Sequence, residues 1–540
     1  MTSFDKFLSS DDSSKLKRMV EILPEIYQPI YGYPDLTNDA SRECDDRLKE
    51  IVKIYNNLQA KLGRPLKVLD LGCAQGYFCF KLAYIGATVH GVDFLNKNIE
   101  LCKYISSLNS NLNVSFSCED IECFIKNMRN KKYDLVIGLS VFHHLSHKIG
   151  KLQTKKLVNL LAMKTGLSLI EVALAKEPLY WGKSQFDDPR ELLSDIPFVR
   201  KIKSFTTHLS KIKRPLFICS SKFWSLGNII GCFDNWSQLS HQFDHHIHQK
   251  TRRYFFSKNI VIKHYLFSKN DMGRLNKNVY LREIEAYKNI PLGINVPKLK
   301  FYYSNEQEGW VMLDRIPGEM LSSLMVKNKI SDASLVIKKV LKQLIVLENS
   351  GLYFNDLRHW NLIQSPGDDI FFIDIASLST NPVDCAYPKN IYVSFLIFVQ
   401  ELLNNEICQF GESRNGLIAS FTLPDFYENW FSEILNLKVN KISFKLILKL
   451  FDSKEKTHKK IVRSNTLKSL YLKDLHETKE YQNILINKKI DEQVKIRLKL
   501  QITDKIKCID DLNLQINDIY NSKAWKLITQ LRKLLKIFKK

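Results

Sequence analysis

The 540-residue chain has no long hydrophobic run, no paired-cysteine motif and no long internal repeat. Its longest strongly apolar stretch, Ile391–Leu403, falls short of the roughly 20 residues that a bilayer-spanning helix needs. The first residues, MTSFDKFLSSDDSSKLK, lack the apolar centre of a secretory signal. The 11 cysteines, an odd number, are scattered from Cys44 to Cys508, with no CxxC pair and no Cys/His zinc spacing. They read as reduced thiols rather than a disulfide framework. These absences argue against a spanning membrane protein, a disulfide-stapled secreted domain and a zinc module. The expectation is a cytoplasmic protein, soluble or peripheral on a membrane.

What is abundant is positive charge. Lys and Arg number 80 against 57 Asp and Glu, a net charge of +23. Hydrophobic residues make up 45% of the chain, too many for a disordered polymer, so folded cores are expected. At roughly 150 residues per domain, the length allows three or four domains, or fewer large ones. A basic excess suits nucleic acid, an anionic membrane face or phosphorylated substrates, and the total does not choose among them.

Position along the chain does. Residues 1–60 read as helical, apart from a turn-rich interruption at Tyr27–Asp39. KVLDLG from Lys67 reads as a buried strand ending in a Gly turn. YFCFKLAYIG has helical spacing, and TVHGVD, NVSFSCED, YDLVIGLS and LSLIEVAL continue the alternation, with PLFICSSKFW as a closing strand. Alternating strands and helices imply a doubly wound, mostly parallel sheet. Near Cys232 the pattern shifts. RYFFS and NIVIKHYLF read as antiparallel strands, REIEAYKNI as a helix and GWVMLDRIPG as a strand ending in a turn, with helices over 321–349 and on to about 454. The expected domains are 1–228, 229–455 and a helical tail, 456–540.

VLDLGCAQGYF sets Gly72 and Gly76 between a strand and a helix, where backbone can approach a ligand closely. Asp93 ends the next strand, and a carboxylate there can accept hydrogen bonds from ribose hydroxyls. A dinucleotide fold would prefer GxGxxG, and Ala74 stands at its middle glycine. The spacing Asp70-x-Gly72-x-x-x-Gly76, with Gly91–Asp93, Ser117–Asp120 and Tyr133–Leu145, resembles class I S-adenosylmethionine-dependent methyltransferases. That resemblance implies that Gly72 and Gly76 pack on the methionine part of the cofactor. It further implies Asp93 on the ribose, Asp120 and Ile121 beside the adenine, and Asp70 toward the ammonium. Methyl transfer to an anionic acceptor needs in-line approach more than acid–base help. His143, His144 and His147 are candidates for a base or an orienting group, or are structural.

Farther on, Lys263 ends VIK and Glu283 lies in the following helical pattern, with Glu285 in reserve. Such a pair can hold ATP α/β-phosphates. YFNDLRHWN spaces Asp356 and Asn361 as in HRDxxxxN loops, where Asp accepts the hydroxyl proton and Asn binds metal. Asp374 in FFIDIAS, 13 residues past Asn361, stands where a DFG-type metal-binding Asp would lie. The region resembles the aminoglycoside-phosphotransferase and protein-kinase-like superfamily. Phe354 and Asn355 replace the His and Arg of HRD, Asp374-Ile375-Ala376 replaces DFG, and no APE segment follows. These departures point to a small-molecule or glycan substrate. The glycine-rich loop is replaced by His241–Arg253, where Lys250, Arg252 and Arg253 could neutralise phosphate or form a solvated strand. Its histidines are poor ligands for Mg²⁺, which prefers oxygen.

Ile509, Leu512, Ile516 and Ile519 form a short seam suited to a coiled coil, and so to a homo-oligomer. The final KAWKLITQLRKLLKIFKK carries seven bases and no acid, with an apolar face. It suits an anionic membrane surface or a partner protein, and no nucleic-acid fold accompanies it.

The order of parts, with LPEIYQPIYGYPDL, DLGCAQGYFCFKLA, EPLYW (Glu177–Trp181), NDLRHWNL, IDIASL and NSKAWKLITQLRKL, resembles the WbdD-type bifunctional kinase–methyltransferases of O-antigen chain termination. The resemblance implies an α/β fold class: a Rossmann-like methyltransferase domain, a bilobal protein-kinase-like α+β domain and a C-terminal helical or coiled-coil tail. It implies the cofactors S-adenosylmethionine, ATP and Mg²⁺. A lipid-linked polysaccharide would be phosphorylated at its non-reducing end, with Asp356 as base and Asn361 and Asp374 on metal, and the phosphate then methylated. It implies a polymerising glycosyltransferase as partner and a peripheral place on the cytoplasmic face of the inner membrane. The alternatives are a methyltransferase fused to an antibiotic-type small-molecule phosphotransferase, or a non-catalytic scaffold for a polymerase.

Overall fold

A computed structural model describes residues 10–453, apart from 38–39, 131, 208, 210–211, 242–247, 249, 387, 408, 411–412, 415–417 and 419. The seam at Ile509–Ile519, the basic final segment and most of the histidine-rich stretch lie outside the described residues. The chain forms two compact units, Met1–Ser240 with Lys250–His264, and His241–Gln249 with Tyr265–Lys540.

The first unit is built on a seven-stranded sheet. Its strands are β1 (Lys67–Leu71), β2 (Thr88–Asp93), β3 (Val114–Cys118), β4 (Leu135–Gly138), β5 (Leu167–Glu171), β6 (Phe198–Phe205) and β7 (Arg214–Ser220), in the order β3-β2-β1-β4-β5-β7-β6. Strands β1 to β5 pair in parallel, and β7 runs antiparallel to β5 and β6. The central strands are buried almost throughout, as a sheet covered on both faces requires. Helices α1 (Ser10–Glu21), α2 (Asp45–Leu62), α3 (Tyr77–Tyr84), α4 (Asn96–Leu108), α5 (Ile121–Asn127), α6 (Phe142–Ile149) and α7 (Lys151–Lys164) complete this α/β architecture. The strand order reverses at β1/β4, and ligands of such sheets bind beyond the carboxyl ends of the strands at that point.

Two details differ from the sequence pattern. Strand β6, FVRKIKSF, mixes apolar and basic residues because it is an edge strand, and its charges discourage further pairing. The apolar run from Pro215 is two strands, β7 and β8 (Phe223–Leu226), and β8 pairs with β9 (Ile229–Cys232) in a hairpin. The position 228/229 falls in that hairpin's turn, and the first unit continues to Ser240. Strands β10 (Asn235–Ser237) and β11 (Arg252–Phe256) follow, and the unit division falls within β12 (Ile260–Leu266).

In the second unit, α8 (Asp271–Asn289) precedes the antiparallel pair β13 (Leu299–Ser304) and β14 (Glu308–Asp314). After β15 (Glu319–Met320) come α9 (Leu321–Val326) and α10 (Ala333–Asn349). Four short strands, β16 (Tyr353–Phe354), β17 (Leu362–Gln364), β18 (Ile370–Phe372) and β19 (Leu378–Ser379), pair as β16–β19 and β17–β18. Helices α11 (Ile391–Asn404), α12 (Asp425–Leu435) and α13 (Phe444–Asp452) follow. The most apolar stretch of the chain is α11, a buried core helix whose Phe395, Ile397 and Phe398 are 1% exposed or less. Among the described residues, no helix is long and apolar enough to cross a membrane.

Candidate functional sites

In the first unit, the Gly72–Gly76 turn carries a cavity of about 320 Å³ at the switch point of the sheet. Gly72, Ala74, Asp93 and Asn98 line one part of it, with Ile121 and Leu139 as apolar wall. Gly72 has φ +72°, and a Cβ there would stand 3.1 Å from Val141 Cγ2. The Gly72 and Cys73 amides donate to Val92 O at 2.8 and 3.1 Å, locking the turn to β2. Ala74 takes the left-handed region at φ +46°, which turns its amide toward Asp93 Oδ2 at 2.9 Å. Asp93 also accepts from the Leu95 amide at 2.9 Å and Asn98 Nδ2 at 3.4 Å. Burial raises the Asp93 pKa, and these N–H donors oppose the rise.

The sequence-predicted residues divide. Gly72, Asp93 and Ile121 line the cavity; Asp70, Gly76 and Asp120 are not among its lining. The Asp70 carboxyl is 2% exposed, accepts from Cys79 Sγ at 3.3 Å and has its pKa pushed well up by burial. Gly76 is demanded by packing: a Cβ there would meet Cys102 Sγ at 3.0 Å and Phe80 at 3.1 Å. Asp120 caps α5 through the Glu122 and Cys123 amides and pairs with Lys148 at 2.9 Å. The Lys148 hydrogen bond lowers its pKa.

The cavity is also lined by Tyr27, Ser140, His143, His144, Trp181 and Arg214. Arg214 pairs with the buried Glu177, Nε to Oε1 at 2.9 Å and Nη2 to Oε2 at 2.6 Å, and reaches Ser140 Oγ at 3.3 Å. Arg42 donates to Ser140 Oγ at 2.9 Å and to the Tyr27 hydroxyl at 2.7 Å. Glu171 accepts from Arg42 at 3.0 Å and Arg47 at 2.7 Å. Two guanidinium groups thus converge on one hydroxyl, and Ser140 is held at φ +55° to receive them. This wall presents N–H and O–H donors of the kind that can bind an anion. Burial, then His144 and Arg214, lower the His143 pKa to about 2, so its imidazole is neutral at physiological pH. Burial lowers His144 as well. His144 and His147 are exposed, and His147 is bonded to Ser184 Oγ at 3.3 Å. Tyr27, Asn98, Ser140 and Arg214 were not singled out from sequence. Trp181 and Glu177 stood in EPLYW, whereas Arg214 closes a loop far along the chain and carries no local signature.

In the second unit, Asp356, Asn361 and Asp374 come together. Asn361 Nδ2 donates to Asp356 Oδ2 at 2.8 Å and to Asp356 O at 3.0 Å. The Ile373 amide donates to Asn361 O at 2.9 Å, tying Asn361 to the residue before Asp374. Asp374 adopts φ +58°, a left-handed conformation that Asp tolerates better than most residues. The pairings Phe354↔Leu378 and Leu362↔Phe372 hold the three segments side by side. With Asn361 Nδ2 committed to Asp356, its amide oxygen is left for a cation. Beside the Asp374 carboxylate, that donor set fits Mg²⁺, which binds one or two protein oxygens plus phosphates and water. Among the described residues, no cluster of three His, Cys, Asp or Glu forms an all-protein metal cage.

Burial raises the Asp356 pKa, Arg358 lowers it, and Asp384 and Asp374 raise it again. Arg358 is buried and pairs with both oxygens of Asp384, at 3.0 and 2.7 Å. Glu283 is fully buried on α8 and accepts from Tyr265 OH at 2.5 Å, whereas Glu285 is exposed. Helix α8 packs on the turn Ile375–Ser377 that follows Asp374. Lys263 lies on β12, on the first unit's side of the division. Of the basic trio near it, Arg253 is buried and donates to Ser194 O at 2.7 Å and to Ile196 O and Pro197 O at 2.5 Å. It clamps a loop of its own unit rather than offering charge to phosphate. Arg252 is also buried.

A methyltransferase-domain family model matches residues 63–191. The O-antigen chain terminator bifunctional methyltransferase/kinase WbdD of Escherichia coli is 36% identical over 447 residues, 82% of this chain and 63% of the relative. The chain thus spans somewhat under two thirds of the length of the curated relatives it matches. A solved structure of the bifunctional kinase–methyltransferase WbdD is similar at a TM-score of 0.74 and 34% identity, over 85% of this chain and 99% of that one. A second WbdD structure, with its C-terminal bundle ordered, reaches a TM-score of 0.82 at 33% identity, over 90% and 99%.

Proposed function

We propose, for a chain that belongs to the WbdD family of bifunctional kinase–methyltransferases, that it phosphorylates the terminal sugar of a surface polysaccharide and then methylates that phosphate, ending elongation. The observation that carries the reading is the lining of the first unit's cavity. Of its residues, Gly72, Asp93, Asn98 and Ile121 fit S-adenosylmethionine, and Arg214, Ser140 and Tyr27 fit an anion. A phosphate monoester is anionic and nucleophilic at neutral pH. What it needs is attraction and in-line orientation, which Arg214 supplies with Arg42 behind it. A neutral His143 suits this chemistry, since no proton has to be removed from the acceptor.

The sugar hydroxyl does need a base. Asp356 would take its proton, and the raised pKa of its carboxyl makes it a better base than an ordinary aspartate. Asn361 and Asp374 would hold Mg²⁺, which neutralises phosphate charge when bound. Lys263 and Glu283 would position the ATP phosphates. Asp120, spent on a helix cap and on Lys148, is left at most a rim contact with the adenine.

The acceptor is a lipid-linked glycan and the partner its polymerising glycosyltransferase, both by analogy with the family. The seven bases of Lys523–Lys540 would hold the chain on the cytoplasmic face of the inner membrane. The test is a pair of variants. Asp356→Ala is expected to abolish phosphoryl transfer to an acceptor oligosaccharide and leave S-adenosylmethionine binding intact. Asp93→Ala is expected to do the reverse. Loss of both activities in a folded Asp356→Ala chain supplied with a pre-phosphorylated acceptor would contradict two independent sites.

A further inference from the structure

The base of the second unit has a neighbour that the proposed chemistry leaves unused. Cys385 Sγ lies 3.2 Å from Asp356 Oδ1, the oxygen that Asn361 does not engage. On its other side, Arg358 Nη2 donates to the same sulfur at 3.8 Å. The backbone fixes the thiol there: the Cys385 amide donates to Asn355 O at 2.8 Å, and the neighbouring Asp384 is held by Arg358 and by the Ala386 amide at 2.8 Å. The chain therefore runs Asp384, Arg358, Cys385, Asp356, Asn361, with each member fixed by the next.

We infer that Cys385 is a positioning residue for the phosphoryl-transfer step, its thiol donating to Asp356 Oδ1 so that the carboxylate is gripped at both oxygens. This rests on the reading of Asp356 as the base. At Oδ1 the carboxylate meets the thiol at 3.2 Å and, more distantly, Arg358 Nε at 3.6 Å. Gripped at both ends, it presents a fixed lone pair to the sugar hydroxyl. Burial first, then the Asp356 charge, push the Cys385 thiol up, keeping it a protonated donor.

Two measurements test this on the full chain. In the first, Cys385→Ala and Cys385→Ser are compared with the parent by steady-state kinetics of phosphoryl transfer. Alanine should lower kcat several-fold with the KM for ATP unchanged, because the base loses a positioning donor. Serine, a donor of similar reach, should restore kcat. An alanine variant with unchanged kcat, or a serine variant as impaired as alanine, overturns the proposal. In the second, iodoacetamide alkylation of Cys385 is followed by mass spectrometry in the parent and in Asp356→Asn. Loss of the adjacent charge should free the thiolate and speed alkylation at neutral pH several-fold; equal rates overturn the contact. This readout needs no activity. If the parent transfers no phosphate to sugar while alkylation responds as expected, the reading of Asp356 as a sugar-kinase base fails and the thiol–carboxylate contact stands.

Discussion

At the scale of single residues, the chemistry rests on charges brought inside and matched. Glu171 is 1% exposed, and burial works against its charge, yet Arg42 and Arg47 hold its pKa below the ordinary 4.5. A depressed carboxylate contributes stability that is present above its unfolded value and is lost as pH falls through the folded one. Glu171→Gln is therefore expected to destabilise the chain by about 3–5 kcal/mol at neutral pH, since it leaves two buried guanidinium groups poorly paired. The deficit should narrow on acidification below about pH 4.5, checked by denaturant unfolding across pH. Arg214→Lys keeps the charge but loses the two-pronged grip on Glu177 and the reach to Ser140. It should raise the KM for a phosphorylated acceptor by about tenfold or more, on the scale of one charge-assisted hydrogen bond, with S-adenosylmethionine affinity unchanged. For Asp356, whose pKa is raised, phosphoryl transfer should fall on acidification at a pH above the ordinary aspartate value of 3.8.

At the scale of elements, the sites lie where backbone is forced into unusual conformations. Ala74, Ser140 and Asp374 are all non-glycine residues at positive φ, and each belongs to a candidate site. Ala74 is informative because a dinucleotide motif would place glycine there. Its left-handed turn aims the amide at Asp93, an arrangement glycine would reach without strain. Ala74→Gly should therefore be neutral or stabilising by up to about 1 kcal/mol, the left-handed penalty offset in part by chain entropy. Gly72→Ala should lower the thermal midpoint, since its Cβ would crowd Val141, whereas Ala74→Gly should leave it unchanged or raise it. The elements carrying these turns were legible from pattern alone. Strands β1 to β5 and the loop around Asp356 announce themselves by apolar runs cut by Gly, Asp and Asn. Strand β6 was not legible, because an edge strand need not alternate cleanly. Nor was the Arg42–Ser140–Arg214 wall, whose members lie far apart in sequence: Arg42 precedes α2, Ser140 follows β4 and Arg214 opens β7. Gly76 and Asp120 were legible as positions, but their neighbours give them packing and capping work.

At the scale of the whole molecule, the proposed function assigns a separate chemistry to each of the two units, and the basic charge divides with them. Arg42 and Arg47 pair with Glu171, Arg214 pairs with Glu177 while its Nη1 faces Ser140 at the cavity, and Arg253 clamps carbonyls. A dense share of the +23 lies in Lys523–Lys540, outside the described residues. Deleting that segment is expected to release the chain from anionic vesicles in a sedimentation assay while both activities on soluble oligosaccharides persist. Unchanged sedimentation would remove the membrane role. The central claim is an order of reactions: phosphate first, then methyl on that phosphate. It is tested most directly by incubating the full chain with a defined acceptor oligosaccharide, labelled ATP and labelled S-adenosylmethionine, and following both labels on the glycan. The account predicts that methyl label enters only when ATP is present, and that phosphatase-resistant methyl phosphate accumulates. Methyl label on an acceptor that never received phosphate would contradict it.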